Sequence, residues 1–349
     1  MRQKYRCRVL SSTTGVLIAL GVAFLIIFVL SLGLGKYAVP AKDVLNILAG
    51  KLFGLEIIAS PVAVDVVINI RLLRILAAAM IGGALSMAGA TYQGLFRNPI
   101  VSPDLLGASS GAGFGAAIAL ISSLNLFWVS IISFFTGIGA VFSAYVISTL
   151  IGRRHANDLL TLVLTGMVVA SLFTAFTSLI KLTADPDSKL PAITYWLMGG
   201  LSTIIPQNLF MLLGSLLLGM IPLFLFSWRI NLMVFEDEEA RSMGMDVKKY
   251  RVIFIVCATL LTTASVAVSG VIGWVGLVIP HIARLLVGPN YKKMMPVSLL
   301  LGASFLILVD DITRCAFSSE IPLGIITSIV GAPFFILLML QKRGVRNEA

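Results

Sequence analysis

Apolar and charged positions alternate along this chain on the scale of whole helices. Stretches free of Asp, Glu, Lys and Arg cover residues 9–35, 75–96, 105–152, 159–180, 190–228, 252–283, 294–309 and 321–341. A helix needs about 20 residues to cross the hydrocarbon of a bilayer, so each stretch holds at least one candidate span. Ser122, Ser123 and Asn125 mark a turn that splits the 105–152 stretch in two. Gly199, Gly200 and Pro206 break 190–228 into a short helix near 192–201 and a full span. Gly270, Gly273 and Gly276 divide 252–283 into one span and a shorter, glycine-rich one. The pattern predicts an all-α integral membrane protein with a single transmembrane domain over residues 1–349. About ten transmembrane helices are expected, at 15–35, 71–92, 105–121, 126–151, 159–182, 207–228, 252–269, 271–286, 296–311 and 321–341.

Composition agrees with that pattern. Hydrophobic residues make up 58% of the chain and charged ones 12%, and the mean hydropathy is +1.01. Soluble domains carry about 25% charged residues, so this chain lacks the polar surface to coat a soluble body. The net charge of +10 reflects topology. With ten spans and both termini cytoplasmic, 18 of the 26 Lys and Arg residues fall inside and 8 outside, as the positive-inside rule requires. There is no basic stripe with interleaved aromatics, so nucleic acid is not an expected partner. Arg2, Lys4, Arg6 and Arg8 precede the first apolar run as in a signal peptide. That run is too long for an ordinary signal and lacks a small-residue cleavage site, so it reads as a retained span. Cys7, Cys257 and Cys315 form no CxxC or Cys/His cluster, and neither a metal site nor a cofactor is expected.

The span interiors are nearly free of ionisable groups; Lys181, Asp310 and Asp311 lie near span ends. An ion-coupled secondary transporter, the alternative reading, would need such groups at membrane depth. The chain also has no phosphate loop, and Gly35-Lys36-Tyr37 is the nearest approach to one. The energy source is therefore expected in a separate subunit. Gly107-Ala108-Ser109-Ser110-Gly111 matches the nucleophile pattern G-x-S-x-G. No strand is predicted before it, and the histidines, His155 and His281, sit beside basic residues in cytoplasmic segments; an intramembrane hydrolase is the remote alternative. Gly82, Ser86 and Ala90, and Gly107, Gly111 and Gly115, repeat every four residues. Such stripes serve close helix packing, either within the chain or between two copies.

The cytoplasmic segment 229–251 differs from the other loops. Glu236, Asp237, Glu238 and Glu239 precede Arg241, Gly244 can end a first short helix, and Asp246 can cap a second. Acids early in a helix suit its dipole. Two short amphipathic helices joined at a glycine would form a knob below the membrane, either a solvated loop or a docking surface.

Four groups of residues resemble the iron-chelate, haem and vitamin B12 permeases of ABC importers. They are Arg71-Leu-Leu-Arg74 with Gln93-Gly94-Leu95-Phe96-Arg97-Asn98-Pro99-Ile100 and Pro103-Asp104-Leu105-Leu106-Gly107; Tyr195-Trp196-Leu197-Met198-Gly199; Gly273 through Arg284; and Ile321-Pro322-Leu323-Gly324 through Phe334. The likeness runs from about residue 15 to 341. It implies a multi-pass protein of a prokaryotic plasma (inner) membrane that is not itself an enzyme. It also implies pairing with a second copy of itself, two cytoplasmic ATP-binding subunits below and an extracytoplasmic substrate-binding protein above. The resemblance makes Arg71, Arg74 and Arg314 the docking residues for the binding protein, with headgroup anchoring in membrane lipid as the alternative. It makes Asn98, Pro99 and Ile100 the cytoplasmic gate. The helix 159–182 becomes the pathway wall, with Thr161, Thr165, Ser171, Thr174 and Ser178 as its polar positions, unless those hydroxyls bond their own backbone. Segment 236–250, with Glu238, Glu239, Ala240, Arg241, Gly244 and Asp246, becomes the ATPase-coupling element. The expected cargo is a metal chelate, a ferric siderophore first, then haem, cobalamin or molybdate.

Overall fold

The computed structural model describes residues 13–152, 158–316 and 319–347, and the described residues form helices and no strands. Each of the ten expected spans overlaps a helix. In chain order the helices are α1 Thr13–Gly33, α2 Ala41–Phe53, α3 Pro61–Asp65, α4 Leu73–Leu95, α5 Ala108–Ile121, α6 Leu126–Gly152, α7 Asp158–Thr183, α8 Lys189–Leu197, α9 Pro206–Leu225, α10 Ser227–Met233, α11 Asp237–Ser242, α12 Val247–Ser269, α13 Val275–Val287, α14 Tyr291–Cys315 and α15 Leu323–Asn347. Among the described residues, six helices are long and apolar enough to cross a bilayer: α1, α6, α7, α9, α12 and α14.

Three boundaries differ from the expected ones for physical reasons. The span expected from residue 71 begins at Pro61, because α3 runs through a π-helical segment, Val66–Leu72, straight into α4. Asp65, Arg71 and Arg74 look like a loop in the sequence, yet both arginines are buried, Arg71 on backbone carbonyls and Arg74 between two acids. The expected span 105–121 begins as a helix only at Ala108; Pro103–Leu106 form a single 3-10 turn, and Gly107 breaks the chain direction at φ +83°. The second short helix expected after Asp246 is instead the first turn of α12, so that span starts at Val247 rather than 252.

The centre of the fold is α4, in which every residue from Ile81 to Leu95 is buried. It packs on α14, α12 and α13. In lipid, helices associate through close van der Waals contact, which small residues permit. A Cβ added at Gly82 would lie 2.2 Å from the Gly302 carbonyl oxygen, and one at Gly89 would lie 1.8 Å from that of Gly276. Gly111 and Gly115 press in the same way on Thr136 and Ala140 of α6. Both stripes therefore serve packing within the chain.

Between α12 and α13 the backbone leaves the helix over Gly270–Trp274. Irregular backbone at membrane depth is tolerated where protein supplies its partners. Here Ser269 O accepts from Gly200 N at 2.7 Å, Gly199 O from Leu323 N at 2.8 Å and Met198 O from Gly324 N at 3.1 Å. These bonds tie the ends of α8, α12 and α15 into one knot.

Candidate functional site

Arg71, Arg74 and Arg314 come together at one end of the bundle. The π-helical segment sets Arg71 beside the end of α1. Its Nη1 donates to the carbonyls of Leu32 at 2.8 Å and Gly33 at 3.0 Å, and Nη2 donates to Tyr37 O. Arg74 is shared by two acids: its Nε lies 2.8 Å from Asp310 Oδ1, and its Nη1 3.0 Å from Glu320 Oε2. Arg314 reaches Asp310 through Nε at 3.0 Å. Its Nη2 bonds Asp311 and, at 2.8 Å, Ser31 Oγ. Ser31 in turn donates to Asp311 at 2.6 Å. Exposure is 4% for Arg71, 8% for Arg74 and 6% for Arg314. Arg74 and Arg314 thus form one network with three acids, Asp310, Asp311 and Glu320, while Arg71 lies buried beside it on backbone carbonyls. Asp310 and Asp311, one turn before Arg314 on α14, supply the nearest carboxylates, which a buried guanidinium requires.

Helix α7 carries the next group. Ser171, Thr174 and Ser178 are exposed along one face. Their hydroxyls donate to Met167 O at 2.9 Å, Ala170 O at 2.8 Å and Thr174 O at 3.0 Å. Each proton is committed to the helix backbone, while the oxygens remain on the exposed face. Thr165 does not share that face. It is buried against α6 and donates to Thr161 O at 2.8 Å and Ala144 O at 3.2 Å. Thr161 is half-buried. Phe114, Phe173 and Phe176 cluster alongside with ring centroids 5.5–6.3 Å apart.

At the opposite end α4 closes with a Schellman turn, Asn98 N donating to Gln93 O at 3.1 Å and Arg97 N to Gly94 O at 3.3 Å. Asn98 then folds the loop on itself, its Oδ1 accepting from Ile100 N at 3.0 Å. Asn98 and Ile100 are exposed and Pro99 is half-buried. Beside this loop lies α11. Glu238, Glu239 and Arg241 are exposed, while Ala240 is buried against the bundle. Gly244 adopts φ +83° with open space around it. Asp246 caps α12 by accepting from Lys249 N at 3.1 Å. Val234, Phe235 and Met243 add exposed apolar surface to the acidic segment.

Sequence reasoning missed the bridge between these two pieces. Arg97 donates through Nε to Met233 O at 2.9 Å and through Nη2 to Asp237 Oδ1 at 2.7 Å. Asp237 also receives Arg251 Nη2, at 2.7 Å to Oδ2. The Arg97 and Asp237 side chains are 30% and 32% exposed. Burial alone would raise the Asp237 carboxyl, but the hydrogen bond and charge of Arg251, with the charge of Arg97, hold it below the usual range. Residues 97 and 237 are 140 positions apart, and no local pattern joins them.

The hydrolase pattern has another use here. Ser109 is buried at the start of α5 and its hydroxyl donates to the Asp104 carboxylate. Among the described residues no group of His, Cys, Asp and Glu has the arrangement to hold a metal.

The FecCD transport family model matches residues 23–341. The chain belongs to that family. It is 37% identical over 340 residues to the molybdate import system permease of Haemophilus influenzae, covering 95% of this chain and 98% of the relative. It is 40% identical over 281 residues to an iron chelatin transport permease of Helicobacter pylori, covering 80% and 84%. A solved ABC transporter of metal-chelate type, in an inward-facing conformation, is 33% identical with a TM-score of 0.81, covering 94% of this chain and 99% of that one. The chain is thus a multi-pass protein of a prokaryotic inner membrane and a permease of an ABC importer. It is not an enzyme. The ion-coupled carrier and the intramembrane hydrolase are set aside on that ground.

Proposed function

We propose that this permease imports a metal chelate, a ferric siderophore first, by alternating access driven by ATP hydrolysis on separate cytoplasmic subunits. The supporting observation is the exposed segment around α11, acidic and apolar together, bonded through Met233 and Asp237 to Arg97, the residue before the loop of Asn98, Pro99 and Ile100. In this reading that loop is the cytoplasmic gate. Segment 236–250 docks on the ATPase through Glu238, Glu239, Ala240, Arg241, Gly244 and Asp246. The ten spans keep both termini cytoplasmic, and the chain works as a homodimer in membrane lipid. Ser171, Thr174 and Ser178 line the pathway with uncharged oxygens, which lets a bulky ligand slide past without being held. Thr165 braces α7 on α6, and Thr161 lies nearer the gate.

The buried arginines support a docking role of a particular kind. Arg71, Arg74 and Arg314 frame the outer ends of α1, α4 and α14. Of the three acids in that network Glu320 is the most exposed, at 33% of its side chain. A carboxylate of the binding protein is then expected to compete with Glu320 for Arg74, since guanidinium forks suit carboxylates by geometry.

Molybdate is the second reading, favoured by the likeness to the Haemophilus influenzae permease along nearly its whole length. Proteoliposomes carrying the permease, its ATPase subunits and its binding protein decide between them. ATP-driven uptake of a radiolabelled ferric siderophore, with no uptake of molybdate, is the expected outcome. The reverse selectivity would replace the first reading by the second. Uptake driven by an ion gradient without ATP would overturn both.

A further inference from the structure

We propose that Arg97 is a positioning residue that ties the gate loop to the ATPase-docking segment and passes the displacement of one to the other. The inference rests on the reading of residues 98–100 as the gate and 236–250 as the docking segment.

The first observation is conformational. Arg97 stands at the position after the helix cap where a Schellman turn wants a left-handed residue, and its φ is +53°. Glycine takes that conformation freely, whereas a residue with a Cβ is disfavoured there. A side chain kept in such a place is held by its surroundings, and such places cluster at switch regions. The turn alone would be served better by glycine, so the side chain must supply what the backbone does not need.

What the side chain supplies is a bridge. Its Nε bonds the carbonyl of Met233, the last residue of α10, at 2.9 Å. Its Nη2 bonds Asp237, the first residue of α11, at 2.7 Å. One guanidinium therefore spans the exposed link between α10 and α11. Asp237 is held from the other side by Arg251 in the first turns of α12. The next residue after Arg97 begins the gate loop, and both are bonded back to the end of α4. A push on α11 is thus delivered through Asp237 and the Arg97 fork to the point where α4 meets the gate. The planar fork fixes direction as well as distance, which a lysine ammonium does not.

The same geometry provides a clean test. Arg97→Gly removes the bridge and relaxes the turn, so fold and assembly are expected at wild-type level or better. In proteoliposomes with the ATPase subunits and binding protein, three quantities are read: co-purification of the subunits, ATP turnover, and substrate taken up per ATP hydrolysed. The glycine variant should keep the first two and lose about fivefold or more of the third, the scale of a typical coupling free energy. Arg97→Lys should fall between, and Asp237→Asn should lower uptake per ATP in the same direction. An unchanged ratio in both Arg97→Gly and Asp237→Asn overturns the proposal. Loss of assembly in Arg97→Gly overturns it as well, because Arg97 would then be a packing residue. A wild-type complex without ATP-driven uptake sinks the importer reading, and this inference with it.

Discussion

The two ends of the molecule use arginine in opposite ways. At the Arg71 end Arg74 and Arg314 pair with Asp310, Asp311 and Glu320, and Arg71 is buried beside them on backbone carbonyls. The side chains of Arg74 and Asp310 are 9% and 1% exposed. At the Arg97 end the corresponding pair, Arg97 and Asp237, has about a third of each side chain in solvent. Exposure sets how costly each is to open. Removing one partner of a buried ion pair costs about 3–5 kcal/mol, while an exposed pair contributes about 0–1 kcal/mol. The first cluster is suited to hold α1, α4 and α14 in one frame throughout a transport cycle. The second, partly solvated, is suited to shift together with α11 while its bridge stays made.

The largest expected effect follows from that difference. Asp310→Ala leaves Arg74 and Arg314 without their shared carboxylate and should cost about 3–5 kcal/mol of stability. Arg97→Gly, which leaves Asp237 paired with Arg251, should cost no more than about 1 kcal/mol. Thermal unfolding of the purified permease in nanodiscs measures both, and equal losses would erase the contrast. For the same reason, reversing Arg71, Arg74 and Arg314 together to Glu should lose the folded protein itself, not binding-protein affinity alone.

Next in size is the packing that carries the frame. A side chain at Gly89 would meet the Gly276 carbonyl, where a Cβ has only 1.8 Å. Gly89→Val should therefore destabilise by about 1–3 kcal/mol or more, the range for overpacking. The same change at Gly214, where a Cβ meets nothing within 4 Å, should be nearly neutral. Folded yield after extraction distinguishes the two.

A smaller effect concerns pH. Asp237 has a depressed carboxyl because Arg251 and Arg97 outweigh its partial burial. A group depressed in the folded state contributes stability that is fully present above its unfolded value, about 3.9, and is lost as pH falls through the folded value below it. A spin label on loop 98–100 should report constant mobility from neutral pH down to about 5 and rising mobility in stronger acid. Mobility that rises already between neutral pH and 5 would show that Asp237 does not hold the loop.

The smallest expected change is at Glu320. Glu320→Gln frees part of Arg74 without leaving it unpaired, since Asp310 remains at 2.8 Å. Stability should move by less than about 1 kcal/mol. Affinity for the binding protein should rise several-fold in calorimetry at low salt, and an unchanged affinity would remove Arg74 from the docking site.

Much of the fold was legible in the apolar runs. Helix α6 begins where the Ser122, Ser123 and Asn125 turn places it, and α7 matches its expected ends closely. The failures lie where charge is buried. Arg71 and Arg74 conceal the first turns of the α3–α4 rod because partners of theirs, on α1 and α14, are distant in sequence. Thr165 shares its residue type with the exposed wall of α7 but faces α6, and the 3.6-residue period groups only Ser171, Thr174 and Ser178. Asp246 was visible as a cap, yet the helix it starts is the span α12 and not a separate short one. Arg97 was visible only as part of a motif. Its left-handed backbone and its tie to Asp237 depend on tertiary contacts that no local pattern encodes.

Amide hydrogen exchange on the complete transporter, compared without nucleotide and with ATP trapped, tests the contrast between the two ends most directly. Protection around residues 97–101 and 237–242 should change together between the two states, while residues 71–74 and 310–314 stay protected in both. Exchange that changes at the Arg71 end and stays constant at the Arg97 end would contradict the account.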